Sequence, residues 1–443
     1  MKKFLAILLA LVMVLSLAAC GGSTSGEKST EAAKTEEKND TPAAESTGTT
    51  LRLINGKIEV DAQLKKLAEM YEAETGVKVE IESLGGGIDI QGTIKGYYQA
   101  DNMPDIFVNG GAADFDNWEG LLVDMSGEAW AADTDSAYVD ETYGTIGFPY
   151  TVEAVGLAYN ADLIAKAGID PATLNTPAAL ADAFAKLDSM KDELGITAVI
   201  GYSAEPTNLY WSTGNHMFAN YLDAGLARDD RTYIDLLSDG GQLDADRLTK
   251  FAELFAVIHQ YSDPALLVSG TYDQQVQGFA AGKYVFVTQG NWIGATMTTT
   301  FAAEYEAAGS FQCGMVPYAF DETANTILTN SPSWWAVYDG PNAEAAKAFL
   351  QWCSEGAAQE LLVSKAGFIS PFKSCTTVAS DPFAANVSAW NASGASAWHW
   401  LEMTDGLAQN YTGQIFADFA AGNLDVAGFV AAMQQVCATA YAG

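Results

Sequence analysis

The sequence predicts an α/β protein built as two lobes, each a mainly parallel sheet flanked by helices. Three observations lead there. Leu51 to Ile54 reads as a short strand, Asp61 to Thr75 as a helix with Leu64, Leu67, Ala68 and Tyr71 on one face, and Val77, Val79 and Ile81 alternate as a second strand. A strand, a helix and a strand in so short a span form a βαβ unit, which implies a parallel sheet covered by helices. The body from residue 50 to residue 443, in a chain that is 49% hydrophobic, is long enough to bury two cores. Helical patterns separated by short strands then continue along the chain without an internal repeat.

Ahead of that body, Lys2 and Lys3 precede an apolar run from Phe4 to Leu15, and small residues lead to Cys20. A charged start, a short apolar stretch and a small-residue cleavage site make a signal peptide over residues 1–19, and the run is too short to span a bilayer. Leu17-Ala18-Ala19-Cys20 resembles a bacterial lipobox. On that resemblance Cys20 becomes the first mature residue and carries a thioether-linked diacylglycerol and a further acyl chain, enough for stable anchoring. Residues 20–49 follow as a tether: Gly21 to Thr49 contain no Val, Leu, Ile, Met or aromatic residue and cannot order themselves by burial. As a flexible coil this segment spans roughly 30 Å r.m.s..

In the body, Gly76 ends the first helix, and open α/β sheets bind ligands at the carboxyl ends of their strands. The loops after Ile54, Ile81 and Phe107 are therefore expected to face any site. The segment Gly147 to Asn160 is extended and apolar yet carries one carboxylate, Glu153, and a helix from Asp162 to Gly168 follows. Thr176-Pro177 starts a helix whose buried stripe is Leu180, Ala183, Phe184 and Leu187. Tyr284 to Thr288 reads as a strand, and Ala343 to Glu355 as a helix.

Composition excludes several classes. Without Lys2 and Lys3, 20 of the 22 basic side chains remain against 56 acidic ones, a formal charge of −36 that repels nucleic acid and anionic headgroups. The four arginines, Arg52, Arg228, Arg231 and Arg247, are too few for an Arg-lined phosphate or carboxylate pocket. Cys313, Cys353, Cys375 and Cys437 show no CxxC spacing, and His216, His259 and His399 stand far apart, so no metal site or cofactor is expected. A disulfide between Cys353 and Cys375 and free buried thiols remain alternatives.

The hinge-like segment Gly147 to Asn160 resembles one in the extracellular solute-binding proteins of bacterial ABC importers, specifically the sugar-binding family that includes maltose-binding protein, where the chain crosses between lobes there. Four further stretches resemble that family in the same order. They are Leu53-Ile-Asn-Gly56 with Thr75-Gly-Val-Lys-Val79, Met103-Pro-Asp-Ile-Phe107, Phe279-Ala-Ala-Gly-Lys283 to Trp292, and Gly314-Met-Val-Pro-Tyr318 with Ala345 to Gln359. The resemblance implies a periplasmic-binding-protein-like (type II) fold with a ligand cleft between lobes. Lobe 1 would be 50–152 plus 316–363, and lobe 2 would be 153–314 plus 364–443, with hinges at Thr151 to Val155 and Met315 to Pro317. It also implies a monomer that takes up a neutral carbohydrate and docks on the membrane subunits of an ABC permease.

Sugar recognition needs flat aromatic faces for pyranose C–H groups and polar groups for hydroxyls. Tryptophans such as Trp118, Trp334 and Trp335 stand in loop-like or strand-end contexts. Trp292 matches the family's stacking tryptophan; Trp398 and Trp400 lie where it places a late aromatic, with one of the two expected to reach the cleft. Glu205, Tyr210 and Trp211 lie where it offers an acid and an aromatic, although the aromatic spacing departs from that of maltose-binding protein. Lys57 matches a polar position after the first strand, without the acidic neighbour found there in maltose-binding protein. Glu153, a lone carboxylate among apolar hinge residues, must find donors: a sugar hydroxyl, a lysine or a backbone amide. Asp89, beside Gly85-Gly86-Gly87, and Asn109 and Asp114, around Gly110-Gly111, stand at strand ends and are further candidates. A surface glycoside hydrolase is the competing class, though no acid pair stands out by spacing. A binder or sensor for another small solute on the same fold is a third.

Overall fold

The computed structural model describes residues 48–84, 88–377 and 379–442. The expected signal peptide, Cys20, nearly all of the tether and Gly85-Gly86-Gly87 lie outside the described residues. Twelve strands organise the rest: β1 (Thr50–Asn55), β2 (Lys78–Ser83), β3 (Ile106–Asn109), β4 (Tyr138–Asp140), β5 (Gly144–Pro149), β6 (Glu153–Val155), β7 (Leu157–Asn160), β8 (Ala198–Gly201), β9 (Tyr284–Val287), β10 (Cys313–Val316), β11 (Leu328–Asn330) and β12 (Trp334–Val337). One sheet has the order β2-β1-β3-β12-β5-β4, a second β10-β7-β9-β8, and β6 pairs with β11 alone.

The first βαβ unit forms as the pattern requires. The helix Asp61–Thr75 buries Leu64, Leu67, Ala68 and Tyr71 and ends on Gly76 at φ 73°, a left-handed C-cap. Leu51 and Leu53 point into one core with Val79, Trp335 and Phe349, while Ile54 points to the other face against Ile94, Phe107 and Trp118. Thr176 caps the helix Pro177–Ser189 through the Ala179 N–H, and its four stripe residues pack in the second lobe's core with Leu157, Val199 and Phe286.

Two expectations need correcting. The sheets are mixed rather than mainly parallel: β1 runs parallel to β2 and β3, but β12 is antiparallel to β3 and β5, and β7 is antiparallel to β9 and β10. The cause is the crossing. β7 and β12 each follow a passage from the other lobe, so they begin at the edge where β1, β3, β8 and β9 end, and must run the opposite way.

The lobe boundaries also move. Val316, Tyr318, Phe320 and Leu328 are buried in the second lobe's core, so the return crossing lies at Asn330 to Ser333, not at Met315 to Pro317. Ala366, Phe368 and Phe372 remain in the first lobe's core, so the last passage comes after Phe372 rather than at 363. Both errors arise because apolar runs on either side of a crossing look alike until their partners are known.

The arginines are spent on structure. Arg247 donates from Nε to the Tyr221 carbonyl at 2.6 Å and from Nη2 to that of Ala224 at 2.8 Å, completing the open end of the helix Phe218–Asp223. Arg52 binds Asn102, Arg228 binds Thr329, and Arg231 binds Glu402. The four cysteines among the described residues are free thiols, with Cys313, Cys353 and Cys437 buried, so the Cys353–Cys375 pair is not a disulfide. Beside the Arg247 cap, Gly225 adopts φ +84°, donates to Thr326 Oγ1 at 2.7 Å and leaves no room for a Cβ against the Thr323 carbonyl. Gly225→Ala is expected to lower stability by at least about 1 kcal/mol, read from the urea midpoint.

Candidate functional site

The first lobe presents the ends of β1 and β3 to the edge where the chain crosses. Asn55 is fully buried and its Nδ2 holds the Lys57 carbonyl at 2.7 Å, fixing the turn that carries Lys57. At the end of β3, Asn109 is fully buried, Gln91 donates to its Oδ1 at 3.2 Å, and its own Nδ2 has no partner. Trp118 Nε1 in turn holds Gln91 at 2.9 Å. Asp114 accepts the Gly110 N–H at 2.7 Å. Burial raises the Asp114 pKa, with the Asp405 charge adding and the Gly110 N–H opposing.

Lys57 Nζ meets Glu153 Oε1 at 2.5 Å, with both side chains largely enclosed. Two candidates chosen separately therefore satisfy each other across the start of the crossing. Asn291 clamps the same strand, its Oδ1 accepting the Ala154 N–H at 2.7 Å and its N–H donating to the Ala154 carbonyl at 3.2 Å. Behind it, Val152 and Ile369 form a bridge between the first and third passages. Tyr150 hydrogen-bonds Ser333, joining the first passage to the second. Asp381 lies against Gly294, and its Oδ1 accepts the Phe383 N–H at 2.8 Å. Burial lifts its carboxyl pKa to about 7; the Phe383 N–H opposes this and the nearby Glu153 charge reinforces it.

The second lobe contributes aromatic rings on two turns of π-helix, Ser212–Met217 and Ala408–Thr412. Gly214 lets these turns touch: a Cβ there would lie 2.7 Å from Thr412 Oγ1 and 2.8 Å from Ala408 Cβ. Widened turns of this kind occur often at functional sites. Trp211 precedes the first turn, its Nε1 bonded to the Asn208 carbonyl at 2.9 Å. Trp292 folds its ring back over Gly290, a position where any Cβ would overlap the indole. Trp211 and Trp292 have centroids 6.2 Å apart, and His216 lies 4.9 Å from Trp292, 4.8 Å from Trp400 and 5.3 Å from Trp211.

The lobes meet where Gly111 passes under Leu401: an added Cβ would lie 2.6 Å from the Leu401 carbonyl oxygen. A cavity of about 280 Å³ on one side is lined by Gly110 and Asp114 from the first lobe and by Tyr210, Asn215 and Trp400 from the second. It shares Gly110 and Asp114 with a pocket of about 230 Å³ that reaches Lys57 and Tyr150. A larger space of about 640 Å³ is also lined by Leu401 and holds Tyr138, Trp334, Arg228, Trp398 and His399. There His399 Nδ1 lies 2.6 Å from Asp223 Oδ1, and the Asp223 carboxylate raises the His399 pKa against the opposing effect of burial.

Of the residues expected from sequence, Lys57, Asp114, Tyr210 and Trp400 line these two neighbouring cavities, and Glu153 is tied to Lys57. Asn109 lies beneath them, and Trp211 and Trp292 stand beside Trp400 around His216. Trp398 and Trp400 both reach the interlobe space, in different cavities. Asp89 does not join them: it is an exposed N-cap whose carboxylate accepts the Gly92 N–H at 2.8 Å. Glu205 is likewise occupied, by the N–H groups of Thr207 at 2.8 Å and Asn208 at 2.7 Å. Trp118 and Trp335 are core residues, 2% and 0% exposed. Sequence reasoning missed His216 and Leu401; the five-residue interval from Trp211 to His216 brings the rings together only because the turn between them is π-helical. Among the described residues no group could hold a metal ion, and no helix is long and apolar enough to cross a membrane.

The family described as bacterial extracellular solute-binding protein matches residues 66–392. No protein of curated function matches the sequence. Among solved structures, the binding protein MsmE from Bacillus subtilis, in an open conformation, is 17% identical, with a TM-score of 0.66 over 88% of this chain and 97% of that one. A chitin oligosaccharide binding protein is 20% identical, with a TM-score of 0.65 over 90% and 100%. A sugar transporter from Bacillus licheniformis, in complex with stachyose, is 18% identical, with a TM-score of 0.61 over 87% and 98%. At these identities the likeness is one of fold.

Lys57→Met leaves Glu153 enclosed without its cation and is expected to cost about 3 kcal/mol in urea unfolding, with Lys57→Met/Glu153→Gln recovering most of it. Asp381 has a folded pKa above its ordinary value, so it retains a proton that the unfolded chain releases. Its contribution to stability is fully present below about pH 4 and is lost as pH rises through about 7. Asp381→Asn is expected to flatten that decline and to be the more stable protein at pH 8, measured by denaturation across the range.

Proposed function

The chain belongs to the bacterial extracellular solute-binding proteins, and on that premise we propose that it captures a neutral carbohydrate between its lobes for an ABC importer. The observation that carries the reading is the placing of Trp400, with Trp211 and Trp292 close by around His216, opposite Asp114 across the interlobe cavity. Indole faces suit the C–H face of a pyranose, while carboxylates and amides suit its hydroxyls. All four arginines are already bonded within the fold, which disfavours a ligand recognised through its anionic groups. The three similar structures are named for sugars, chitin oligosaccharide or binding, and an oligosaccharide ligand here accords with those names.

Capture proceeds by rotation of the lobes about the three passages. A ligand touching both lobes favours the closed arrangement only by its difference in affinity for closed over open. The Gly111–Leu401 contact belongs to the closed arrangement. The closed protein then docks as a monomer on the permease's membrane subunits, and the acyl chains on Cys20 hold it at the outer membrane face within reach of them. Binding without turnover is the assignment: Glu153 is neutralised by Lys57 and Glu205 caps a turn, which takes both acids out of hydrolytic chemistry.

A thermal-shift screen against mono- and oligosaccharides tests this. A ligand at 100 times its Kd is expected to add about 2.7 kcal/mol of stability. Trp292→Ala is expected to weaken binding by about 1 to 3 kcal/mol with the fold intact. Gly111→Ala, which obstructs the lobe contact, is expected to weaken affinity as well, read by titration calorimetry. No shift with any carbohydrate, or release of reducing ends from one, would refute the assignment.

A further inference from the structure

Resting on the carbohydrate reading, we infer that His216 is a specificity-determining residue that hydrogen-bonds one hydroxyl of the sugar unit lying against Trp211, Trp292 and Trp400. Three observations support this. The imidazole stands among those three indoles, tilted at 50° to Trp292 and close to edge-on to Trp400 at 79° and Trp211 at 73°. Asn215, next to it in the chain, and Trp400 line the 280 Å³ interlobe cavity, so His216 stands directly behind that wall.

The second observation is the lack of a partner. His216 Nδ1 is buried without a hydrogen bond, and neither ring nitrogen has a partner among the described residues, although the residue as a whole is only partly buried. Of the neighbouring polar groups, Trp211 Nε1 binds Asn208 and the Asn220 amide donates to the His216 carbonyl rather than to the ring, while Trp400 Nε1 is buried without a partner like His216 Nδ1. A buried polar atom without a partner is destabilising, and a phenylalanine would fill the same space without that cost. A histidine at this position is explained if a ligand supplies the partner, either through Nε2 directly or through Nδ1 after a ring flip. Third, burial holds its pKa near 3, so the ring is neutral and offers one donor and one acceptor to an uncharged hydroxyl. A neutral ring also avoids placing a charge in the box that a neutral sugar could not compensate.

A site built to hydrogen-bond a hydroxyl rejects the analogue that lacks it far more strongly than a purely apolar box does. The test uses the full soluble body and the carbohydrate that gives the largest thermal shift, together with its monodeoxy derivatives, titrated into wild type, His216→Phe and His216→Gln. Wild type is expected to bind the parent at least about tenfold more tightly than one particular deoxy derivative. His216→Phe is expected to lose that preference and most of the tenfold in affinity, while remaining as thermally stable as wild type or more so. His216→Gln, which keeps a donor and an acceptor, is expected to restore part of the discrimination. If His216→Phe binds parent and derivatives as wild type does, His216 is packing and the inference fails while the carbohydrate reading stands. If wild type binds no carbohydrate at all, both fall together.

Discussion

Everything about the site follows from the requirement that the chain cross between two sheets and come back. A strand that begins at a crossing starts at the edge facing the other lobe, and one that ends there finishes at that edge. β1, β3, β5, β8, β9 and β10 end at this edge, while β7 and β12 start from it. The open backbone groups and polar loops of both sheets are thereby concentrated in the interlobe space, where open α/β sheets place their ligands. Mixed strand directions and site location have a single cause.

The passages are held by specific groups. Lys57 neutralises Glu153, Asn291 takes both backbone groups of Ala154, and Val152 pairs with Ile369. Each of these bonds involves a residue of the crossing segments or one next to them. The rim carries Gly111 and Leu401, whose approach depends on the absence of a single methyl group. Rigid bonds at the axis and a close contact at the rim are what a hinge with two defined positions requires.

Local order was readable in the sequence wherever one periodicity dominated. The helix Asp61–Thr75 with Gly76, the Thr176 cap and the strand at Tyr284 emerged within a residue or two of their true bounds, because stripe, cap and alternation agreed. Lys57, Asp114, Tyr210 and Trp400, singled out by the family resemblance or by a strand-end position, do line the interlobe cavities. What could not be read was partnership. Asp89 and Glu205 are acids at loop positions that satisfy backbone N–H groups next to them, a use that competes locally with ligand binding and leaves no mark in composition. His216 looked isolated because its neighbours, Trp292 and Trp400, are distant in sequence and because a π-turn shifts which residues share a face.

The central place of β12 in the first sheet has a consequence for how the protein is made. β3 and β5 do not pair with each other; β12 lies between them and pairs with both. β12 spans Trp334–Val337, so on a growing chain the first lobe lacks its middle strand until the whole second sheet has been synthesised. Folding of the first lobe therefore waits on a distant segment, and such non-local closure is slow.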